Sequence, residues 1–258
     1  MSTQNLGQEA PKFGTGQVIG ESFTLFFRNI VKVAVIIVPF FLLSTLISLL
    51  LFDPRTALGL EEALDNASLY EDLVTSVIQL ATYALSSALL VLFVFDARAG
   101  KARPLSAYFI PVLTNALPLI VLTFVALLAL VLGMIALVLP GLWIYAALSV
   151  TLPVVVIEGA GFSSLSRSYS LTKGYRWPIV AVVFVLGVTS TAISSGAAYL
   201  IARVADGTEF FLLLWGVGMA VFNVLQVGLS AIGVALIYAR LLEIKEAPPA
   251  RDLAEVFS

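Results

Sequence analysis

Glu158, Arg167, Lys173 and Arg176 stand in one short stretch and form the densest set of side chains that could do chemistry. An acid beside three bases can make an ion pair, pass a proton or hold an anionic headgroup. Glu158 closes an apolar run, so three readings follow. It pins the next segment through Arg167 or Lys173, it forms a proton or headgroup site, or it is an acid wetted at a membrane surface. Asp96 and Arg98 bracket the end of another run, either as a solvated end or as a pair that reaches Lys101 or the N-terminal segment. Catalysis has little else to draw on. The chain has no histidine and no cysteine, which removes the commonest metal ligand, the commonest general base and any thiolate nucleophile. There is no phosphate-binding glycine loop, metal-spaced ligand set or nucleophile elbow. Gly159 and Gly161 lack the preceding strand of a nucleotide motif. No cofactor or metal is expected. A membrane-embedded enzyme would need Glu158 with Asp96, the one candidate pair of acids on the same side.

A second set is uncharged. In "GVTSTAISSGAA", Gly187–Ala198, Ser190, Ser194 and Ala198 recur every four residues, as do Gly187, Thr191 and Ser195. Small residues at that spacing let helices approach closely. The other reading is a polar lining for a solute path, joined by Asn223 and Gln226 and by Gln79, Thr82, Ser86 and Ser87. Apart from Lys32, near one end, no Asp, Glu, Lys or Arg falls in the middle of an apolar run. That argues against an ion-coupled pump or voltage sensor and leaves uncharged solutes or lipid.

The elements that must position these residues follow from composition. The chain has 258 residues, 60% hydrophobic and 12% charged, with mean hydropathy +1.05. Soluble domains carry about 25% charged residues. The excess apolar surface calls for lipid, and a hydrocarbon core about 30 Å thick takes about 20 residues of helix. Six runs qualify: Ile30–Phe52, Leu73–Phe95, Leu117–Leu139, Gly141–Ile157, Ile179–Ala202 and Phe211–Leu241. Each must be helical, because lipid offers the backbone no hydrogen-bond partner. The sixth is long enough that it must tilt, kink or emerge into water. The third and fourth are joined at a tight Pro140–Gly141 turn. The first run is too long for a signal-peptide core, so no cleaved leader is expected. The expected fold is all-α: one six-helix transmembrane domain over residues 14–245, between tails 1–13 and 246–258. A short helix at Leu58–Asp65 is expected in the acidic loop 53–72, and the tail after Lys245 is expected to be loose.

Of the 14 basic residues, all but Arg55 and Arg203 fall on alternate segments. Arg28, Lys32, Arg98, Lys101, Arg103, Arg167, Lys173 and Arg176 thus share one side with both termini. By the positive-inside rule that side is cytoplasmic, and the location is a bacterial inner membrane, crossed several times. Three segments on this side precede a run and are amphipathic. Val18–Arg28 sets Val18, Ile19, Phe23, Leu25, Phe26 and Phe27 against Glu21, Thr24 and Arg28. Residues 162–173 set Phe162, Leu165, Tyr169 and Thr172 against Ser163, Arg167 and Ser170, with Gly174 as a cap and Trp177 as an interface anchor. Pro104–Asn115 is a weaker third case, and Asn115 then stands where Asn29 does. Each is expected to lie in the interface and feed a span. "SFTL" at Ser22–Leu25 and "SYSL" at Ser168–Leu171 suggest one unit of interfacial helix and hairpin, present three times.

The stretch Pro140–Val183 resembles the membrane-domain family first named from glycerophosphoryl diester phosphodiesterases. The Pro140–Gly141 pair, Glu158, Leu165, Arg167–Ser168, Leu171, Gly174 and Trp177 carry the likeness. "ESFTLFFRN", Glu21–Asn29, is similar to how such proteins open. In the named enzymes the membrane region anchors a phosphodiesterase barrel that works with histidine and metal-binding carboxylates. This chain has neither histidine nor length for a barrel, so the resemblance implies a stand-alone member without the catalytic domain.

The expected function is therefore a non-enzymatic inner-membrane component, scaffold or accessory in kind. It contacts membrane lipids, a protein partner or a second copy through the basic collar. The alternative is a transporter or channel for lipid or a small uncharged solute. Nucleic acid is not an expected partner, because the basic residues are spread over short segments and the pI is acidic.

Overall fold

A computed structural model describes residues 13–52, 66–101, 103–205 and 211–246. These are helical nearly throughout, mostly α with brief 3-10 and π turns, and with short connections between helices. In chain order the helices are α1 (Thr15–Arg28), α2 (Ile30–Leu51), α3 (Asn66–Arg98), α4 (Phe109–Thr114, after a 3-10 turn Leu105–Tyr108), α5 (Ala116–Ala136), α6 (Val138–Leu148), α7 (Ser164–Thr172), α8 (Arg176–Ala205) and α9 (Phe211–Glu246). Six stretches are long and apolar enough to cross a membrane: Ile30–Leu51, Leu69–Arg98, Ala116–Ile135, Val138–Glu158, Arg176–Ile201 and Leu213–Glu246. The fold is all-α and polytopic. The expected helix at Leu58–Asp65 and the tail after Glu246 lie outside the described residues.

Helix α9 is the axis. Two thirds of its apolar window, 67%, is buried, against 17% for α5, which presents nearly all its surface outward. Helix α9 packs against α1, α2, α3 and α8, and a ring closes from α9 through α3, α5, α6 and α8 back to α9. The fully buried side chains concentrate in its later half: Leu229, Ile232, Leu236, Ile237, Tyr238 and Leu241. The sixth run is thus one unbroken helix whose later half is packed among its neighbours. Its overhang is clothed by other helices, because α1, the end of α3 and α7 need an apolar wall and α9 supplies one.

Four expectations change. The second span begins at Leu69, inside a helix described from Asn66, so Glu71 and Asp72 are helical and not part of a loop. The turn between the third and fourth spans is at Leu137, whose backbone is extended (φ −170°, ψ 145°). Pro140 falls in the first turn of α6, where its missing N–H would have had no partner anyway. Gly133 and Gly141 face each other there: a Cβ built on Gly133 would lie 2.8 Å from the Gly141 Cα. The fourth span is not one helix. Helix α6 ends at Leu148, Thr151–Pro153 makes a short turn, and Val154–Glu158 is a π-helical turn. Pro153 has no N–H to continue the ladder, which accounts for the break.

The fourth change concerns α1. It does not lie across the end of the bundle. Phe13 accepts a hydrogen bond from Arg240 Nε at 3.3 Å, Ser22 lies beside Gly233, and Phe26 covers Gly228. Successive contacts step down α9 residue for residue, so α1 runs antiparallel along it. Gly228 and Gly233 leave the groove. The inward Ser22 hydroxyl donates to Val18 O at 2.7 Å and so needs no water. Val18, Leu25 and Phe26 face the protein, while Phe27 on the same arc is 57% exposed.

Asn29 and Asn115 mark two similar junctions. Both depart from helical geometry in the same way (φ −116°, ψ 19° and φ −105°, ψ 14°). Each side-chain amide donates to the carbonyl four residues back, Leu25 at 3.0 Å and Pro111 at 2.8 Å. The third junction, after α7, uses Gly174 at φ 90° instead.

Candidate functional site

Helix α7 carries most of the charged site. Its buried side is Ser164, Ser168, Leu171 and Thr172, not the Phe162–Leu165–Tyr169–Thr172 face expected from the helical wheel. Two hydroxyls decide this: Ser168 and Thr172 both donate to Ala147 O, at 2.9 and 3.2 Å. That carbonyl is three residues from the break in the fourth span, where the backbone ladder leaves acceptors open. Phe162 and Tyr169 remain outside, 57% and 49% exposed. The matched words of the sequence meet matched surroundings: Ser22 and Ser168 are both wholly buried, and Leu25 and Leu171 are buried beside them.

Arg167 lies between two acids. Its Nε donates to both Glu158 carboxylate oxygens, at 3.2 and 3.0 Å, and its Nη2 pairs with Glu246 at the end of α9. Tyr238 OH donates to Glu158 Oε1 at 2.8 Å. Hydrogen bonds to Glu158 and Glu246 hold the Arg167 pKa further above its already high value. Lys245 donates to the Ser170 and Lys173 carbonyls at 2.7 and 3.0 Å, a cation on the last carbonyls of α7 where the dipole favours it. The cluster therefore joins α7, α9 and the π turn.

Arg176 behaves differently. It is 6% exposed and has no carboxylate beside it among the described residues. Its guanidinium carbon sits 3.7 Å from the Trp143 ring centre and 4.1 Å from that of Tyr169. The two rings meet edge to face, 6.4 Å apart between centres, and the cation sits in the corner between their quadrupoles. Its Nη2 reaches Tyr169 O at 3.4 Å. This fastens the start of α8 to α6 and α7. Nothing in the sequence signals it, because Trp143 is 33 positions away.

A second cluster sits at the end of α3. Arg98 pairs with Glu21 of α1 at 3.4 Å and with Glu243 of α9 at 3.0 Å. Arg240 pairs with the same Glu243 at 2.8 Å. Asp96, only 8% exposed, takes Arg103 at 3.2 Å and accepts a hydrogen bond from Tyr108 OH at 3.2 Å. Burial first, and then the Asp96 carboxylate, push the Tyr108 phenol above its usual pKa. Glu158 and Asp96 belong to separate clusters, each engaged by its own arginine. Among the described residues no group of His, Cys, Asp and Glu could hold a metal ion.

The remaining basic candidates are open. Arg28, Lys101 and Lys173 are exposed and pair with no acid among the described residues. Lys32 is also exposed, with its ammonium 5.7 Å from the Phe93 ring.

The uncharged candidates divide. Ser190 donates to Gln226 Oε1, and Gln226 Nε2 donates to Thr191 at 3.2 Å. These two line a cavity of about 280 Å³ with Tyr83, Tyr145, Gly187 and Ser230. Ser194 is buried without a partner and does not line it. Asn223 donates to Met219 O of its own helix at 2.9 Å. Tyr83 and Tyr145 stand on runs too apolar to have singled them out. Comparison with known protein families, with curated proteins and with solved structures finds no match.

Proposed function

We propose that this is a non-enzymatic component of a bacterial inner membrane, a stand-alone relative of the resembled membrane domains, with both termini in the cytoplasm. Its role is that of a scaffold or accessory: it contacts anionic lipid headgroups, or an acidic partner, through the collar around α1, α4 and α7. One observation carries the reading. The acids Glu21, Asp96, Glu158, Glu243 and Glu246 are each engaged by an arginine of the same chain, whereas Arg28, Lys101 and Lys173 are exposed without an acid. Arg28 adjoins exposed Phe27 in the chain, and Lys173 stands four residues from both Tyr169 and Trp177, which are also exposed. Basic side chains beside a rim of exposed aromatics suit a lipid interface, where each cation contributes about 1 kcal/mol toward anionic lipid.

The test is retention of anionic lipid. The full chain and an Arg28→Ser, Lys101→Ser, Lys173→Ser variant are purified in mild detergent, and bound lipids and proteins are identified by native mass spectrometry. The variant should lose most of its anionic lipid, or its stoichiometric acidic partner, while unfolding at the same temperature. Equal retention by both proteins would sink the collar reading.

A further inference from the structure

The cavity between α3, α6, α8 and α9 has walls of two kinds. Val183, Leu186, Val227 and Val234 are apolar, and Tyr83, Tyr145, Ser190, Gln226 and Ser230 are polar but uncharged. Ser190 and Gln226 satisfy each other and Thr191. The Tyr83, Tyr145 and Ser230 hydroxyls have no hydrogen-bond partner among the described residues. All of them lie within stretches long and apolar enough to span a membrane, and they line the open space of the cavity. An occupant that hydrogen-bonds would meet donors and acceptors there. No acid or base lines the cavity, so the occupant carries no charge.

The walls differ in length. Beyond the cavity, α9 continues from Gln226 to Phe211 and α8 from Ser190 to Ala205, about 22 Å each. Helix α3 continues from Tyr83 to Asn66, about 25 Å. Helix α6 has only the stretch from Tyr145 back to the Leu137 turn, about 12 Å. The α5–α6 hairpin therefore runs about 10 Å less far than its neighbours, and a side window toward the bilayer is inferred there.

We propose that the cavity binds an uncharged amphiphile bearing hydroxyl and ester groups, a glyceride in chemical class, taken sideways from the membrane through this window. The volume of about 280 Å³ equals roughly nine waters at about 30 Å³ each. It suits a glycerol ester head with the first part of a chain, while the remaining chain lies in lipid. Tyr83, Tyr145 and Ser230 donate to the ester and hydroxyl oxygens, and the valines line the chain. This site is independent of the basic collar.

Gly187 supplies the test. It lines the cavity, and a Cβ placed on it meets nothing within 4 Å. Gly187→Leu adds bulk at this lining position, its Cβ meets no neighbouring atom, and it improves helix propensity. The full chain in phosphatidylcholine vesicles is exposed to a diacylglycerol carrying a diazirine beside its ester, and separately to a phosphatidic acid with the same chains and diazirine. Peptides containing Tyr145 and Gln226 should be labelled by the diacylglycerol, and excess unlabelled diacylglycerol should compete. Gly187→Leu should lower that labelling at least tenfold with unchanged thermal unfolding, Tyr145→Phe should lower it about fivefold, and the phosphatidic acid should label at least tenfold less. Labelling that is spread over the outer faces and is equal in wild type and Gly187→Leu, as for a cavity holding water alone, would overturn the proposal. Equal labelling by both probes at the cavity would overturn its uncharged character.

Discussion

Arg167 holds together three elements with one side chain. Replacing it with alanine strands the Glu158 carboxylate beside Tyr238 and frees Glu246. Its side chain is 35% exposed, so solvent screens part of the interaction. The expected loss is about 1–2 kcal/mol, read as a lower unfolding temperature in detergent. Arg167→Glu should cost more, since three acids then meet at one point. Tyr108 gives a pH signature. Its pKa is raised in the folded protein, by burial and then by Asp96. The unfolded chain therefore releases the phenolic proton first, so this contribution is present below about pH 10 and declines as pH rises through the folded value. Wild type should lose stability relative to Tyr108→Phe as the pH rises above about 10. Parallel pH curves for the two proteins would show that the Tyr108 phenol is neither buried nor held against Asp96 as described.

At the scale of elements, two glycine contacts hold helices at close range, and they differ in softness. A Cβ on Gly133 meets the Gly141 backbone at 2.8 Å. Backbone cannot swing aside, so Gly133→Ala should splay the α5–α6 hairpin at about 2–3 kcal/mol. A Cβ on Gly228 meets the Phe26 ring at 2.7 Å and Val33 at 2.9 Å, and side chains can yield. Gly228→Ala should therefore cost less, and Phe26→Leu in the same chain should recover part of the loss. A double-mutant cycle by thermal unfolding measures this coupling; strict additivity would mean that α1 does not seat on α9 at that point. The same seating explains why helical-wheel reasoning put α1 flat. Its arc of Val18, Leu25, Phe26 and Phe27 is wide enough for lipid, and the sequence does not say that α9 offers a glycine groove to half of it.

For the whole molecule, the proposed orientation sets the charged clusters and the free cations on one side of the membrane. The chain has no cysteine, so single cysteines can be introduced without background. Lys101→Cys should react with an impermeant maleimide only in inverted vesicles, and Glu71→Cys only in right-side-out ones. The opposite pattern would reverse the topology. Six spans are legible from the sequence because hydrocarbon admits only long apolar helices, a condition on each segment alone. The pairing of Glu158 with Arg167 is a local candidate for a similar reason, since nine residues separate them. Other features depend on distant parts of the chain. Arg176 between Trp143 and Tyr169, Arg98 between Glu21 and Glu243, and the cavity of Tyr83, Tyr145, Ser190 and Gln226 join residues on different helices. The sequence by itself determined the class, the number of spans and the alternation of charge, because each follows from transferring one segment between water and lipid. Which face of each helix meets protein was decided only by the tertiary structure. In a membrane both faces are apolar, so hydrophobicity no longer distinguishes inside from outside, and glycine grooves, a broken span and paired charges choose instead.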